Sequence, residues 1–325
     1  DEEEIVYADV DHIGEYQHKF YYIQKHIDKI MDLDMVDRKA IKERNFKVVI
    51  DCVNSTGGIS VPELLVALGV TDVVELFTNP NGRFPHNPEP LPEHLSTIAH
   101  EVKHQKADLG LVVDPDVDRL AIVCEDGEMF GEEYSLVAIA DYVLQHKKGD
   151  VVSNLSSTQA LRDVAKKYQV VHHQSAVGEV HVVRKMKEVH AVIGGEGNGG
   201  IILPELHYGR DALVGIALFL SHLARSGKSC SRLRAEYPNY FMAKNKIELP
   251  EGTNVQAILA GMEEKYKKEK LNKEDGLKIE MDGDWVHLRA SNTEPIIRIY
   301  SESSTKTTAE NINRKMMDDI RMLMK

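Results

Sequence analysis

Short apolar runs alternate with segments of helical spacing along the first third of the chain. The run FKVVID at 46–51 is followed by VPELLVALG at 61–69 and by DVVELF at 72–77. A strand, a helix and a second strand in this order form a βαβ unit, in which the two strands are parallel. The pattern therefore predicts an α/β layer built on a parallel sheet.

The same rhythm returns in the middle of the chain. After a helix predicted over 132–145, strands at 150–156, 170–174 and 190–195 alternate with helices at 156–168 and 178–188. We interpret the two stretches as weakly related repeats. The segment 211–227 is apolar on most faces and is predicted to be a buried helix.

The pattern changes after Pro238. Predicted strands at 241–249, 277–281, 285–290 and 295–302 accompany helices at 255–269 and 305–324, and the charged segment KLNKEDG at 270–276 is predicted to be a loop. This order is typical of a small α+β domain. The predicted fold is two successive α/β domains, 1–126 and 127–238, followed by an α+β domain, 239–325.

A cluster of alternate aspartates separates two apolar runs, LGLVV at 109–113 and LAIVC at 120–124. Asp114, Asp116 and Asp118 are followed directly by Arg119. Mg²⁺ prefers oxygen ligands and is commonly held by a few carboxylates together with substrate phosphate. The spacing predicts a Mg²⁺ site on these three aspartates, and the alternative is a solvated acidic turn whose side chains point apart.

Two other acidic motifs were compared with this segment. An EF-hand loop from Asp114 to Glu125 would need glycine at its sixth position, where the chain has Arg119, and it would need flanking helices instead of strands. A phosphatase-type DxD motif stays open, although it leaves the third aspartate and Arg119 without a role.

A polar turn lies between two strand-like runs in HLRASNTEPIIRIYSE, residues 287–302. Hydroxyls, an amide and two guanidinium groups are the donors that a phosphate monoester requires. We predict phosphate binding by Arg289, Ser291, Asn292, Thr293 and Arg298. The alternative is a hairpin turn that uses its serine, asparagine and threonine only for local hydrogen bonds.

A glycine-rich segment, VIGGEGNGGIIL, contains five glycines within 194–200. Glycine allows a close approach of the backbone to a ligand, and Glu196 and Asn198 offer polar groups suited to sugar hydroxyls. A dinucleotide site is disfavoured because a strand-like run, not a helix, follows. A plain glycine-rich hairpin is the alternative.

The amino-acid composition disfavours several classes of protein. With 52 acidic and 40 basic residues the formal net charge is −12, which disfavours nucleic acid and anionic membranes as partners. The longest apolar run, 213–220, is too short to span a bilayer, and no signal peptide is visible. Three scattered cysteines argue against a disulfide scaffold or a zinc site. We expect a cytoplasmic protein without an obligate protein partner.

The three motifs occur in an informative order. An aspartate loop, a GE-x-N-G-G loop and an R-x-S-N-T-E-P-x-x-R-x-x-x-E segment together resemble the α-D-phosphohexomutase family, which comprises phosphomannomutases, phosphoglucomutases and phosphoglucosamine mutases. The resemblance runs from about Tyr16 to the C-terminus. It implies a four-domain enzyme that moves phosphate between the C1 and C6 oxygens of a hexose through a phosphoserine and a bisphosphorylated intermediate.

The resemblance also implies a role for each motif. The three aspartates would hold Mg²⁺, Arg119 would stabilise the transferring phosphate, and Glu196 and Asn198 would hold ring hydroxyls. The turn from Arg289 to Thr293, with Arg298, would grip the phosphate that is not reacting. The chain departs from the family pattern at Pro115 and Val117, where glycines are usual, and at Gly200, where histidine is common.

The family's phosphoserine loop, similar to T-A-S-H-N-P, has no match in the 325 residues. The tripeptide His86-Asn87-Pro88 follows Pro85, which has no hydroxyl to phosphorylate, and we interpret 84–90 as an ordinary surface connection. We therefore expect a fragment corresponding to domains two to four that binds hexose phosphates and is inactive alone. A non-catalytic sugar-phosphate binding fragment and a Mg²⁺-dependent sugar phosphatase are the alternatives, and the sequence does not distinguish mannose, glucose and glucosamine phosphates.

Overall fold

The computed structural model describes residues 6–250, 252–291 and 294–324. Within them the chain forms three sheets in sequence order, two of them mixed and one antiparallel. Helices cover the mixed sheets and pack against the antiparallel one, which confirms the predicted class of two α/β units followed by an α+β unit. The exact domain boundaries stay a prediction.

The first sheet has the strand order β2-β1-β3-β4, in which β1 is parallel to β2 and β3 while β4 returns antiparallel to β3. The aspartate cluster forms the turn between β3 and β4. The strands are β1 (Lys47–Asp51), β2 (Asp72–Leu76), β3 (Leu109–Val113) and β4 (Leu120–Cys124). The helices are α1 (Tyr22–Met31), α2 (Arg38–Arg44), α3 (Gly57–Leu68) and α4 (Ser96–His104).

The second sheet repeats this arrangement with the order β6-β5-β7-β8, again with three parallel strands and an antiparallel last strand. The glycine-rich loop joins its last two strands, at the same place in the repeat as the aspartate loop. The elements are α5 (Glu132–His146), β5 (Val151–Asn154), α6 (Ala160–Lys167), β6 (His172–Ser175), α7 (Glu179–Val189), β7 (Ile193–Glu196), β8 (Gly200–Ile202), α8 (Ala212–Ser226) and α9 (Cys230–Arg234).

The third sheet is antiparallel throughout, in the order β10-β11-β12-β13-β9. The predicted phosphate turn lies between β12 and β13, and both helices pack against the sheet through a separate hydrophobic core. The elements are β9 (Phe241–Glu248), α10 (Val255–Lys265), β10 (Lys270–Asn272), β11 (Leu277–Met281), β12 (Asp284–Ala290), β13 (Ile296–Ser303) and α11 (Lys306–Leu323).

Two sequence predictions were wrong in detail. The charged segment 270–276 begins with an edge strand, because Leu271 pairs with Ile279 and packs on the core, and this gain outweighs the charges around it. The helix predicted from 156 begins only at Ala160, because Ser157 and Thr158 bond to Asn154 and Glu133 instead.

Helix α8 is buried along most of its length and packs against α5, α2 and α3, which confirms its prediction as core. One continuous hydrophobic core therefore serves both mixed sheets. Among the described residues no helix is both long and apolar enough to cross a membrane.

A small polar cluster is enclosed between α5 and α8. The Nε2 atom of His222 lies 3.0 Å from the hydroxyl of Tyr237, which donates to Asp141 Oδ2 at 3.1 Å, and Lys167 Nζ lies 2.7 Å from Asp141 Oδ1. Burial lowers the pKa of the His222 imidazole to about 4, and the nearby Asp141 carboxylate opposes this shift. His222 is therefore neutral in the folded protein at neutral pH.

This neutral histidine makes stability depend on pH. Between pH ~6.5 and pH 4 the unfolded chain binds a proton at position 222 that the folded chain does not, so the stability contribution is lost as the pH falls through this window. We expect His222→Gln to remove up to about 3 kcal/mol of this pH dependence. The measurement is urea unfolding of both proteins at pH 7 and pH 4.5, with His100→Gln, an exposed position, as the control. Equal pH dependence in wild type and His222→Gln would contradict the assignment.

Candidate functional site

A cavity of about 370 Å³ is lined by residues from all three parts of the chain. The aspartate-loop side supplies Glu89 and Arg119, and the glycine-rich loop supplies Glu196 and Asn198. The third sheet supplies three basic side chains, Lys244, Arg289 and Arg298. The cavity thus joins residues of all three sequence motifs, and the aspartate loop lines it through Arg119, not through Asp114, Asp116 or Asp118.

The aspartate loop is a tight turn whose three carboxylates differ in exposure, with Asp116 exposed and Asp118 partly buried. Asp114 is buried, and its Oδ1 accepts hydrogen bonds from the backbone N–H groups of Asp118 and Arg119, both at 3.0 Å. One carboxylate oxygen from each of Asp114, Asp116 and Asp118 lies within 4.8 Å of the others. Val117 adopts φ +61°, a strained conformation for a β-branched residue.

The residues of this loop fit a divalent cation. Burial and the neighbouring carboxylates raise the pKa of Asp114 to about 7, with the backbone bond from Arg119 opposing the shift. The Oδ1 atom of Asp118 is buried and has no hydrogen-bond partner in the described part of the chain. A cation among three carboxylates would relieve both the repulsion and the unsatisfied oxygen.

Two hydroxyl groups outside the motif support the loop. Ser55 and Thr56, at the start of α3, both donate to the carbonyl oxygen of Pro115, at 2.8 Å and 2.7 Å. Proline fixes the backbone of the turn but has no N–H of its own, and its carbonyl holds the turn against the neighbouring βα connection. Sequence reasoning gave these residues no part in the loop.

The glycine-rich loop is joined to the aspartate loop through the backbone. The N–H of Leu120 donates to the carbonyl oxygen of Gly199 at 3.0 Å. Gly199 has φ +87°, and a Cβ atom there would lie 2.4 Å from the carbonyl oxygen of Leu120. Only glycine permits this approach without displacement of one loop.

Glu196, which we predicted to contact sugar hydroxyls, is almost completely enclosed by protein. It is 5% exposed, and its Oε1 accepts from Asn154 Nδ2 at 2.9 Å and from the N–H of Gly178 at 3.1 Å. Its Oε2 accepts from Arg210 Nη1 at 3.0 Å. Asn198 is only partly buried, and its Oδ1 accepts from the N–H of Gly200 at 3.2 Å.

Arg210 is the principal site residue that sequence reasoning missed. Its guanidinium group pairs with Asp118 of the aspartate loop and with Glu196 of the glycine-rich loop, and its Nε lies 3.6 Å from Glu179 Oε2. The backbone N–H of Arg210 also donates to Glu179 at 2.8 Å. In the sequence, Arg210 was marked only by its position shortly after the glycine-rich segment. Its pairing could not be predicted, because its partners lie up to 92 residues away.

The phosphate turn is carried by two antiparallel strands. Arg289 and Arg298 are direct cross-strand partners on β12 and β13, so their side chains leave the same face of the sheet. Arg289 Nε lies 2.9 Å from Asp275 Oδ2, and Arg298 Nη2 lies 3.6 Å from Glu294 Oε2.

The rest of the turn is described only in part. The hydroxyl of Ser291 accepts from the N–H of Glu294 at 3.3 Å. Asn292 and Thr293, which we predicted to bind phosphate, lie outside the described residues.

The segment 84–90, which we interpreted as an ordinary surface connection, instead folds over the aspartate loop. Arg119 Nη1 lies 3.0 Å from Glu89 Oε1, and His86 Nε2 lies 3.0 Å from Asp51 Oδ2 at the end of β1. Three prolines and a polar composition suggested a loop correctly, but the composition carried no signal for these two contacts. Glu89 thus holds the guanidinium group of Arg119 at the edge of the cavity.

Three further ionisable residues, Glu132, Glu133 and Lys244, line the cavity beside the glycine-rich loop. Glu133 accepts a hydrogen bond from the N–H of Thr158 at 2.9 Å, and burial raises the pKa of its carboxyl to about 8, against the attraction of Lys244. Lys244 pairs with Glu132 at 2.5 Å. The sequence GEEY at the start of α5 is typical of any helix N-terminus, which explains why neither acidic residue was singled out.

Three family profiles match the chain in consecutive order. Residues 24–127 match phosphoglucomutase/phosphomannomutase, alpha/beta/alpha domain II, and residues 132–240 match alpha/beta/alpha domain III of the same family. Residues 246–319 match the phosphoglucomutase/phosphomannomutase C-terminal domain. The first two matched segments each contain one complete mixed sheet, and the third contains the antiparallel sheet except for residues 241–245 of β9.

Known relatives agree with these matches. The "Phosphoglucomutase/phosphomannomutase" of Thermococcus kodakarensis is 38% identical over 84% of this chain and 60% of its own length. The "Probable phosphoglucosamine mutase" of Methanopyrus kandleri is 30% identical over 98% of this chain and 70% of its own length. The chain therefore spans roughly two thirds of the length of these relatives.

The fold is also shared with solved structures. A phosphoglucomutase/phosphomannomutase family protein from Burkholderia thailandensis superposes with a TM-score of 0.78 at 25% identity, over 93% of this chain and 63% of that protein. From the profiles, the relatives and this structure, we conclude that the chain belongs to the phosphoglucomutase/phosphomannomutase family.

Proposed function

We propose that this chain forms the metal-binding, sugar-binding and phosphate-binding part of a hexose-phosphate mutase that interconverts 1- and 6-phosphates. The observation that supports this most strongly is the single cavity into which Arg119, the Glu196 loop and the Arg289/Arg298 pair all project. Its volume of about 370 Å³ is within the range of small-molecule sites.

Mg²⁺ is the proposed cofactor, with Asp114, Asp116 and Asp118 as its ligands. A structural neighbour, Aspergillus fumigatus N-acetylphosphoglucosamine mutase, is described in complex with GlcNAc-6P and magnesium, which supports the same ligand classes here. When bound, the cation would neutralise negative charge that develops on the transferred phosphoryl group. Asp114 would remain fixed by its two backbone hydrogen bonds.

Arg119 is the proposed catalytic residue among those in the chain. It follows the metal ligands directly, lines the cavity and is oriented by Glu89 on one side. Its Nε lies 3.6 Å from Asp114 Oδ2 on the other side. Phosphoryl transfer needs cationic donors held in place before the reaction, and these two carboxylates hold the guanidinium group in this way.

The remaining residues would bind and orient the sugar. Asn198 and the remaining acceptor position on Oε2 of Glu196 would accept hydrogen bonds from ring hydroxyls. The turn with Arg289, Ser291, Asn292, Thr293 and Arg298 would bind the phosphate that is not reacting. Binding energy from this remote phosphate can be used to position the reacting oxygen. The bisphosphorylated sugar must reorient in the site so that C1 and C6 exchange positions. The clamp must therefore accept a phosphate on either carbon.

The nucleophile is proposed to lie outside the 325 residues. No serine in them is preceded by threonine and alanine and followed by His-Asn-Pro, and the relatives are longer than this chain. We therefore propose that the chain binds hexose phosphates but needs an added phosphoserine loop for turnover.

One prediction concerns metal binding at the aspartate loop. Asp116 is exposed, so Asp116→Asn removes a ligand without removing buried packing. We expect this change, alone and with Asp118→Asn, to weaken Mg²⁺ binding by at least ~10-fold in titration calorimetry, since even outer-shell changes commonly cost this much. Glu128→Gln, a nearby exposed carboxylate outside the loop, is the matched control. Equal Mg²⁺ affinity in wild type and double variant would exclude this site.

The second prediction concerns the phosphate clamp. Loss of one charge-assisted hydrogen-bonded pair costs on the order of 1.5–3 kcal/mol, so Arg298→Ala should weaken glucose 1-phosphate binding by about tenfold or more. Binding of unphosphorylated glucose should be unchanged. Arg314→Ala, on the exposed side of α11, serves as the control for loss of one positive charge. A clamp at this turn is ruled out if Arg298→Ala and Arg314→Ala bind glucose 1-phosphate equally well.

The third prediction concerns turnover. The chain is incubated with glucose 1-phosphate, Mg²⁺ and a trace of glucose 1,6-bisphosphate, and the products are analysed for glucose 6-phosphate and free phosphate. We expect neither product, because the serine that carries the phosphoryl group is absent. Release of free phosphate would favour a Mg²⁺-dependent phosphatase instead, and enzyme-like formation of glucose 6-phosphate would mean that the nucleophile lies within these residues.

A further inference from the structure

A second group of metal-ligand side chains lies outside the cavity. Among residues 6–250, 252–291 and 294–324, two groups of three or more histidine, cysteine or acidic residues bring one ligand atom each within 4.8 Å of one another. One is the aspartate loop. The other is His26 of α1 with His207 and Asp211, which precede α8.

The two histidines converge on one carboxylate oxygen. His26 Nε2 lies 2.7 Å from Asp211 Oδ2, and His207 Nε2 lies 3.0 Å from the same atom. The other oxygen, Oδ1, accepts the N–H groups of Leu213 and Val214 at the start of α8, at 2.8 Å and 3.1 Å. One carboxylate oxygen is therefore held by the start of α8, while the other faces both imidazole nitrogens. A carboxylate oriented in this way is typical of a metal ligand with outer-shell support.

The spacing of the rings matches ligation of one small ion. An imidazole bound at 2.0–2.1 Å places its ring centre ~3.2 Å from zinc, so two such rings at a tetrahedral angle have centres ~5.2 Å apart. The ring centres of His26 and His207 are 5.6 Å apart. The nitrogen-to-oxygen separations would have to widen by only ~0.5 Å to reach a tetrahedral arrangement.

The cluster is accessible to solvent and contains the ligand types that a divalent metal requires. The side chains of His26 and His207 are 32% and 42% exposed, whereas that of Asp211 is only 6% exposed, so an ion can enter from solvent and keep a water ligand. Asp211 supplies a carboxylate oxygen next to two imidazole nitrogens, a mixed ligand set that borderline divalent metals accept.

We propose that His26, His207 and Asp211 form a second cation site, specific for a borderline transition metal of the Zn²⁺ class. Imidazole nitrogen selects such metals, whereas Mg²⁺ prefers oxygen ligands. On binding, each neutral ring carries its proton on Nδ1 and presents Nε2 to the ion. The small number of cysteines had argued against zinc, but these ligands are histidine and aspartate, and 185 residues separate His26 from Asp211.

The site would stabilise the cleft indirectly. Asp211 follows Arg210, whose guanidinium group joins the aspartate loop to the glycine-rich loop. An ion bound at Asp211 would fix α1 to this segment and so restrict movement of Arg210. Its existence does not depend on the proposed mutase function.

The test uses the chelator-treated protein titrated with Zn²⁺ in excess Mg²⁺, so that the aspartate loop is already occupied. We expect one equivalent of Zn²⁺ to bind and to raise the melting temperature, as binding to the folded state requires. His26→Gln and His207→Gln keep a side-chain N–H that can donate to Asp211 but lose the imidazole. Each should weaken Zn²⁺ binding by at least ~10-fold while the metal-free melting temperature stays close to that of wild type.

The control is the double variant His100→Gln, His104→Gln, which removes a stacked pair of histidines from the surface of α4. It should bind Zn²⁺ as wild type does. Binding of Co²⁺ provides a second readout, since its visible absorption reports the ligand geometry directly. If the two glutamine variants bound Zn²⁺ as tightly as wild type, or if only the control lost binding, the proposed site would be wrong.

Discussion

The cleft depends on one guanidinium group. Arg210 pairs with Asp118, Glu196 and Glu179, which belong to the aspartate loop, the glycine-rich loop and helix α7. Three carboxylates this close would repel one another in a partly buried site, and removal of one partner from a buried ion pair typically costs about 3–5 kcal/mol. Arg210 therefore sets the distance between the proposed metal site and the proposed sugar site, and the backbone bond from Leu120 to Gly199 fixes the same distance a second time.

The same region contains a strained backbone conformation and two buried carboxyl groups, and both features cost free energy. Val117 is held at φ +61°, and Asp114 and Glu133 have carboxyl groups whose pKa is raised by burial. Strain and buried charge of this kind are expected at functional sites, where surrounding structure maintains them. Here the Ser55 and Thr56 hydroxyls hold Pro115, and Arg210 holds Asp118, so both sides of the aspartate turn are supported.

Much of the fold could be predicted from the sequence because it follows from local periodicity. The strand at 46–51, the buried helix at 211–227 and the repeat of two similar α/β units needed only the spacing of apolar residues. The three loops of the cleft could be identified because each concentrates its polar residues within a few positions. Arg210, Glu89 and the His26 cluster could not be predicted, because each acts through a partner that is distant in sequence. The edge strand at Lys270–Asn272 was missed because the charged residues around it outnumber the one partly buried leucine that packs on the core.

The central claim is that three loops from three sheets form one hexose-phosphate site. A crystal structure of this chain with glucose 1,6-bisphosphate and Mg²⁺ tests it most directly. We expect the cation on Asp114, Asp116 and Asp118, the sugar ring beside Asn198, and one phosphate on Arg298. A bisphosphate bound elsewhere, for example in the smaller basic cavity lined by Arg162 and Lys278, with no ligand density in the cleft, would contradict it.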